Sequence, residues 1–310
     1  MKKNGMAAVM VAFAAGVYFI SRLINGSPVS TALRPVVVGL DFSYFNRDSL
    51  GENPKKYKVV FDSTEYLYHY LTALSQVDIA VTTFPTQPYM QGEFADTGTY
   101  RTGKRITPME DSFSFGGYTF VKISDNYPIA IVSHTDGTGN APDNISLLEL
   151  KELYSKGSGE YEPYYARESG PSDDMARVLD IGFHKMGHHS EEHYDTFDFS
   201  GERVTDCLDI LRTVKHNEKS IGYAPVSLYT QFASRDSQMK VLTVNGLHCY
   251  DEGYPIKSTL YAIYRTDSIN RGRYQPIIDE LRERLNNYGY LCNQLQMERY
   301  NLQNDVGECV

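Results

Sequence analysis

The chain has 310 residues, 41% hydrophobic and 22% charged, enough for a sizeable core and too even for a collagen-like, coiled-coil or wholly disordered protein. Lys and Arg number 30 against 39 Asp and Glu, a formal charge of −9. So acidic a surface is ill suited to neutralising phosphates along a nucleic acid, and general nucleic-acid binding is excluded.

Lys2 and Lys3 precede an uncharged, mostly apolar run, Met6–Ile20, followed by Ser21-Arg22-Leu23-Ile24. Basic residues before a short apolar stretch are the pattern of a secretory signal. Arg22 stands where a cleavage region should be uncharged, and no Ala-x-Ala site or lipobox cysteine follows. About 20 such residues can span a bilayer as a helix. Residues 1–30 are therefore expected to be an uncleaved signal anchor and its linker, with a cleaved signal peptide as the alternative. Either places the rest of the chain outside the cytoplasm.

Pro35–Leu40 and Lys58–Phe61 are predicted buried strands. Thr64 can cap a helix carrying Leu67, Leu71 and Leu74, and Val77–Val81 is the next strand. Strand–helix–strand order suggests a parallel α/β unit. Tyr127–Ser133 is a further strand. Ser146-Leu147-Leu148-Glu149 is a capping box opening a helix to Lys156. Ser172 can cap a helix with Met175, Val178 and Leu179 inward. Cys207–Val214 reads as helix, Ile221–Val226, Met239–Val244 and Leu260–Tyr264 as strands. Pro276–Tyr288 is an amphipathic helix closed by Gly289. Alternating strands and helices mean an α/β fold.

The histidines His184, His188, His189 and His193 draw attention, because His189–His193 matches H-x-x-E-H. Its neighbours are almost wholly polar, so no apolar face would hold such a helix against a fold. A solvated loop is the better reading, and neither a metal nor a cofactor is expected. Ser237-Gln238-Met239-Lys240 matches S-x-x-K but stands in a charged loop before a strand, without the helix that motif needs. No G-x-S-x-G or P-loop occurs, and no enzymatic activity is expected. The stretch Arg167-Glu168-Ser169-Gly170-Pro171-Ser172-Asp173-Asp174 stands directly before a predicted helix. Free N–H groups at a helix N-terminus, a glycine and an arginine together suit an oxyanion, although a plain capped helix start would look the same. No CxxC pair occurs among Cys207, Cys249, Cys292 and Cys309. Four cysteines allow three disulfide connectivities, and the sequence does not choose between them; in an exported chain Cys292 with Cys309, close together in the C-terminal tail, is one pairing and Cys207 with Cys249 could form a second.

The order of these segments resembles the substrate-binding proteins of bacterial phosphate ABC transporters. Leu40-Asp41-Phe42-Ser43-Tyr44 is similar to that family's first Asp-Gly-Ser-Thr loop, with Phe42 in place of Gly. Phe61-Asp62-Ser63-Thr64, Tyr68–Leu71 and Val77–Ala80 resemble its second loop, helix and Asp-bearing strand. Asn144–Leu150 to Tyr154-Ser155-Lys156-Gly157, Arg167–Asp173, Ser220–Tyr223 and Gly253–Tyr261 follow in matching order. The likeness covers roughly residues 35–290.

The resemblance implies a two-lobed periplasmic-binding-protein-like fold with a ligand cleft between the lobes. Lobe I would be residues 31–125 and 255–310, and lobe II residues 126–254. The function implied is an extracytoplasmic solute-binding protein for a phosphate-like oxyanion, its partners that small anion, an ABC permease and the membrane. A membrane-anchored receptor or interaction module whose cleft no longer binds phosphate is the alternative. Carried over by position, Ser43 and Thr64 would donate hydrogen bonds from lobe I, and Asp78 would accept a proton from the oxyanion. Arg167 would make a charged contact, with Gly170 and Ser172 at the helix N-terminus of lobe II. The chain departs from the pattern in two places. Only about fifteen residues separate the Ser43 loop from the next strand, too few for the family's first helix. The lobe II loop reads Gly-Pro-Ser-Asp, and Pro171 has no N–H to donate.

Overall fold

The structure is a computed structural model and describes residues 34–52, 54–84, 111–135, 142–157, 159–166, 170–181, 183–184, 196–232 and 238–305. The expected signal anchor, Arg167, and His188, His189 and His193 lie outside these residues. Among those described, no helix is long and apolar enough to cross a membrane.

Lobe I begins with β1 (Val36–Asp41), β2 (Tyr57–Asp62), α1 (Thr64–Thr72) and β3 (Ile79–Thr83). β1 is buried along its whole length, as an unbroken apolar run at the centre of a parallel sheet should be. It pairs in parallel with β2 on one side and β3 on the other. Only a 3-10 turn, Arg47–Leu50, stands between β1 and β2, so the family's first helix is absent there. α1 is capped by Ser63 rather than by Thr64. Leu67 and Leu71 pack inward, whereas Leu74, beyond the helix end, is exposed. The helix sits so close to β1 that a Cβ on Gly39 would come within 2.5 Å of Leu67 Cδ2.

β4 (Ser112–Phe115) turns through Gly116 and Gly117, both at positive φ, into β5 (Tyr118–His134). Lobe II follows with β6 (Asn144–Ile145), α2 (Leu147–Lys156), β7 (Glu162–Ala166) and α3 (Gly170–Val178). It continues with β8 (Phe183–His184), β9 (Thr196–Phe197), β10 (Glu202–Val204) and α4 (Cys207–His216). β11 (Ser220–Pro225), α5 (Val226–Phe232) and β12 (Met239–Val244) complete it. The chain returns to lobe I through β13 (Lys257–Arg265) and ends with α6 (Tyr274–Asp305). The Ser146–Glu149 capping box is present in both halves, and Gly157 closes α2 in the left-handed conformation.

One 17-residue strand ties the lobes together. β5 pairs with β13 from Tyr118 to Pro128, then with β11 and β12 from Ile129 to His134. The return crossing lies beside it, where Ile129 N–H donates to Ile256 O at 2.9 Å and Tyr254 OH donates to Ile129 O at 2.8 Å. The lobe I strands are ordered β2-β1-β3-β13-β5 and the lobe II strands β5-β11-β7-β10. In lobe II, β11 presses on α4, and a Cβ on Gly222 would lie 2.2 Å from Ile210 Cγ2. Gly222→Ala is expected to cost about 1–3 kcal/mol by overpacking. Urea denaturation checks this, and a midpoint equal to that of the unmodified chain would refute it.

α6 does not stop at Gly289. That glycine lies against Tyr127, where a Cβ would come within 3.1 Å of the ring, and Tyr127 OH donates to Leu285 O. The glycine serves close packing rather than termination, and the helix runs on. From Tyr288 onward it straps lobe I to lobe II: Gln231 Nε2 donates to Tyr288 OH at 2.6 Å and Gln296 Nε2 to Thr230 Oγ1 at 2.8 Å. Cys207, Cys249 and Cys292 are all buried, and no disulfide occurs among the described residues. The expected Cys207–Cys249 pair is therefore not formed, and Cys309 lies outside them. Burial pushes the Cys249 thiol up to about 12.

Candidate functional site

In a sheet of parallel strands the loops at the carboxyl ends converge, and ligands bind there. In lobe I those ends carry Asp41 (β1), Ser43 just after it, Thr64 (the first residue of α1) and Thr82 and Thr83 (β3). Facing them from lobe II is the N-terminus of α3, Gly170 to Asp174. The facing groups are almost fully enclosed: Asp41, Ser43, Thr64, Thr82, Thr83, Ser172 and Asp173 are no more than 2% exposed, and Asp174 is 6% exposed.

Asp41 is the hub. Its Oδ1 accepts from Ser43 N–H at 3.0 Å, and its Oδ2 accepts from the hydroxyls of Thr82, at 2.7 Å, and of Thr64. Thr64 Oγ1 in turn accepts from Gly170 N–H at 3.1 Å, across the lobes. A helix N–H, a hydroxyl and a carboxylate thus form one chain through the seam. Beside it, Thr83 Oγ1 is buried without a hydrogen-bond partner, and a Cβ on Gly170 would come within 2.6 Å of it. Burial raises the Asp41 pKa, against the opposing bonds from Thr64, Thr82 and Ser43. Burial also raises Asp174, opposed chiefly by the Arg177 guanidinium, whose Nη2 lies 2.8 Å from Asp174 Oδ1. The same Nη2 donates to Lys257 O at 3.2 Å, fixing α3 to the start of β13. Tyr44 completes the closure: its carbonyl accepts from Ser227 Oγ and its hydroxyl pairs with Ser258 Oγ, each at 2.8 Å.

The sequence-predicted residues divide. Ser43, Thr64 and Gly170 meet at the seam. Ser172 is on the same helix but turns into lobe II, its hydroxyl donating to Ala166 O at 2.8 Å and pairing with Tyr223 OH at 2.7 Å. α3 begins at Gly170, so Ser172 lies within the helix and does not cap it. Asp78 is elsewhere. It precedes β3, at the amino end of the sheet, where Oδ1 accepts from Arg34 Nη2 at 2.7 Å and Oδ2 from Val37 N–H at 2.9 Å. Its carboxylate holds the start of β1, and the carboxylate that stands at the seam is that of Asp41. Asp41, Thr82 and Thr83 were missed. The available signal was their place at the carboxyl end of a buried parallel strand. Among the described residues no group of three His, Cys, Asp or Glu side chains could hold a metal ion. Of the histidine cluster only the backbone of His184 is described, in β8.

No protein-family model and no curated protein matches the chain. Solved structures do. One is a putative phosphate ABC transporter substrate-binding protein with bound phosphate from Clostridium perfringens, with a TM-score of 0.53 and 13% identity. That match covers 80% of this chain and 93% of the other. A mutant of OxyR from Corynebacterium glutamicum gives the same TM-score at 12% identity, covering 95% of this chain and 77% of the other. An H2O2-bound mutant of the same OxyR gives 0.53 at 11% identity, with 92% and 75% covered. At such identities the likeness shows the fold alone, which is periplasmic-binding-protein-like and is shared by transport receptors and regulators.

Proposed function

We propose that this chain is an extracytoplasmic solute-binding protein, held at the membrane by residues 6–24, that takes a small phosphate-like oxyanion between its lobes and serves an ABC permease. It is a binding protein and not an enzyme. One observation carries the reading: the N-termini of α1 and α3, from opposite lobes, converge on Thr64 with the unpartnered Thr83 hydroxyl beside them. Helix N-termini carry partial positive charge and unspent N–H donors, the groups an oxyanion uses. The ligand displaces the Gly170–Thr64 bond, and Asp41 accepts a proton from it. Arg167, outside the described residues, is the proposed charged contact.

A second reading has its own support. Asp41, Asp173 and Asp174 are all buried at this seam. Two unit charges about 5 Å apart at an effective dielectric of about 20 interact by about 3 kcal/mol, or roughly two decades of affinity. Ionised carboxylates there would make the protein an interaction module that no longer holds phosphate. Calorimetry with inorganic phosphate decides between the two. Under the first reading the full chain binds, and Thr83→Val weakens binding by about tenfold or more, the cost of one lost hydrogen bond to a charged group. Absence of saturable heat from the unmodified chain at millimolar phosphate would overturn the first.

A further inference from the structure

A groove of about 600 Å³ lies at the foot of the two interlobe connections. It is within the size range of small-molecule sites. Asp125 lines it from the lobe I half of β5, Glu252 and Lys257 from the returning chain, and Tyr290, Asn293 and Met297 from α6. Tyr250 forms another wall and lies flat against His248, with ring centroids 4.9 Å apart and planes 10° apart. The Tyr290 hydroxyl is likewise held, accepting from Gln294 Nε2 at 2.6 Å.

The polar groups are of both signs and only partly used. Lys257 Nζ spends one of its three donors on Glu252 O, at 2.7 Å. Asp125 is exposed, and its nearest cation, Lys122, stands 3.6 Å away while bonding Asp111 at 2.7 Å. A cation alone would meet Lys257, and an anion alone would meet Asp125 and Glu252. A ligand with both charges satisfies each.

We propose that this groove binds a small zwitterion of the amino-acid type with an apolar side chain. Lys257 receives the carboxylate. Asp125 and Glu252 receive the ammonium group, and Tyr250, Tyr290 and Met297 receive the side chain. The proposal is independent of the oxyanion reading of the seam.

Calorimetry on the full chain with L-phenylalanine, 2-phenylethylamine and 3-phenylpropionate tests it. L-phenylalanine is expected to bind, and each analogue, lacking one charge, to bind about tenfold more weakly or worse. Lys257→Gln is expected to lower L-phenylalanine affinity about tenfold while leaving 2-phenylethylamine unchanged. Asp125→Asn is expected to weaken both about tenfold, with any phosphate binding unaltered. No saturable heat with millimolar L-phenylalanine, or equal affinity in both variants and the unmodified chain, would overturn the proposal. Failure of phosphate binding alone would bear only on the seam.

Discussion

Gly170→Ala is expected to destabilise the chain by about 1–3 kcal/mol, and Thr83→Ala in the same chain to restore most of that loss. An alanine Cβ at position 170 would lie 2.6 Å from Thr83 Oγ1, 3.0 Å from Thr83 Cγ2 and 3.2 Å from Thr64 Oγ1. Thr83 has no room to yield: it is buried, branched at Cβ and paired with Leu260 in the sheet. Alanine in an unobstructed helix would instead gain up to about 1 kcal/mol over glycine. The sign of the change therefore reports whether the lobes meet at this point. Denaturant unfolding of the two single variants and the double gives the coupling energy. Gain of stability in Gly170→Ala alone, or simple additivity, would show that the seam is open in solution.

Asp41 carries the second large effect. Asp41→Ala leaves Ser43 N–H and the Thr64 and Thr82 hydroxyls without their common acceptor, and is expected to cost about 2–3 kcal/mol. Asp41→Asn separates charge from shape. Burial raises the folded-state pKa of Asp41 above the ordinary 3.8. The folded chain thus keeps a proton that the unfolded chain has released. As pH rises from 3.8 through the raised value, the wild type loses stability at up to about 1.4 kcal/mol per unit, and the loss is complete above it. Asp174 acts in the same sense and is unchanged in the variant. Asp41→Asn is therefore expected to become more stable relative to wild type as pH rises through that interval. Thermal midpoints measured across pH 4 to 8 would be parallel for the two proteins if Asp41 were not a buried, desolvated acid.

Local patterns were legible where local physics decides them. The Ser146–Glu149 box needs only residues three apart, and the apolar run of β1 needs only burial on both faces. Helix ends set by tertiary contacts were not. Gly289 carries the ordinary stop signal, yet the ring of Tyr127, 162 positions earlier, turns it into a packing site. Ser63 and Thr64 are adjacent hydroxyl residues, and which one caps depends on where the strand before them ends. The choice of Asp78 over Asp41 illustrates the same limit. Both carboxylates border buried strands, but Asp78 precedes its strand and Asp41 ends its own. Strand direction relative to the partner lobe decides which of them meets the seam. The 17 residues of β5 were read as one short strand, because its middle, Ser124 to Asn126, is polar and only Tyr127–Ser133 is continuously buried.

The position of β13 has a consequence for how the chain is made. β13 lies between β3 and β5 in lobe I, yet it is synthesised after the whole of lobe II. Until residue 257 emerges, β3 presents an open edge, and the first half of β5 lacks its main partner. Lobe II is contiguous in sequence from Ile129 and can collapse first, whereas the sheet of β1, β2 and β3 must wait for its link to β5. Unpaired strand edges of this kind invite association with other chains. A chain truncated before β13 is thus a natural candidate for aggregation, and refolding of the intact chain should be limited by the late insertion of a central strand rather than by the closure of either lobe.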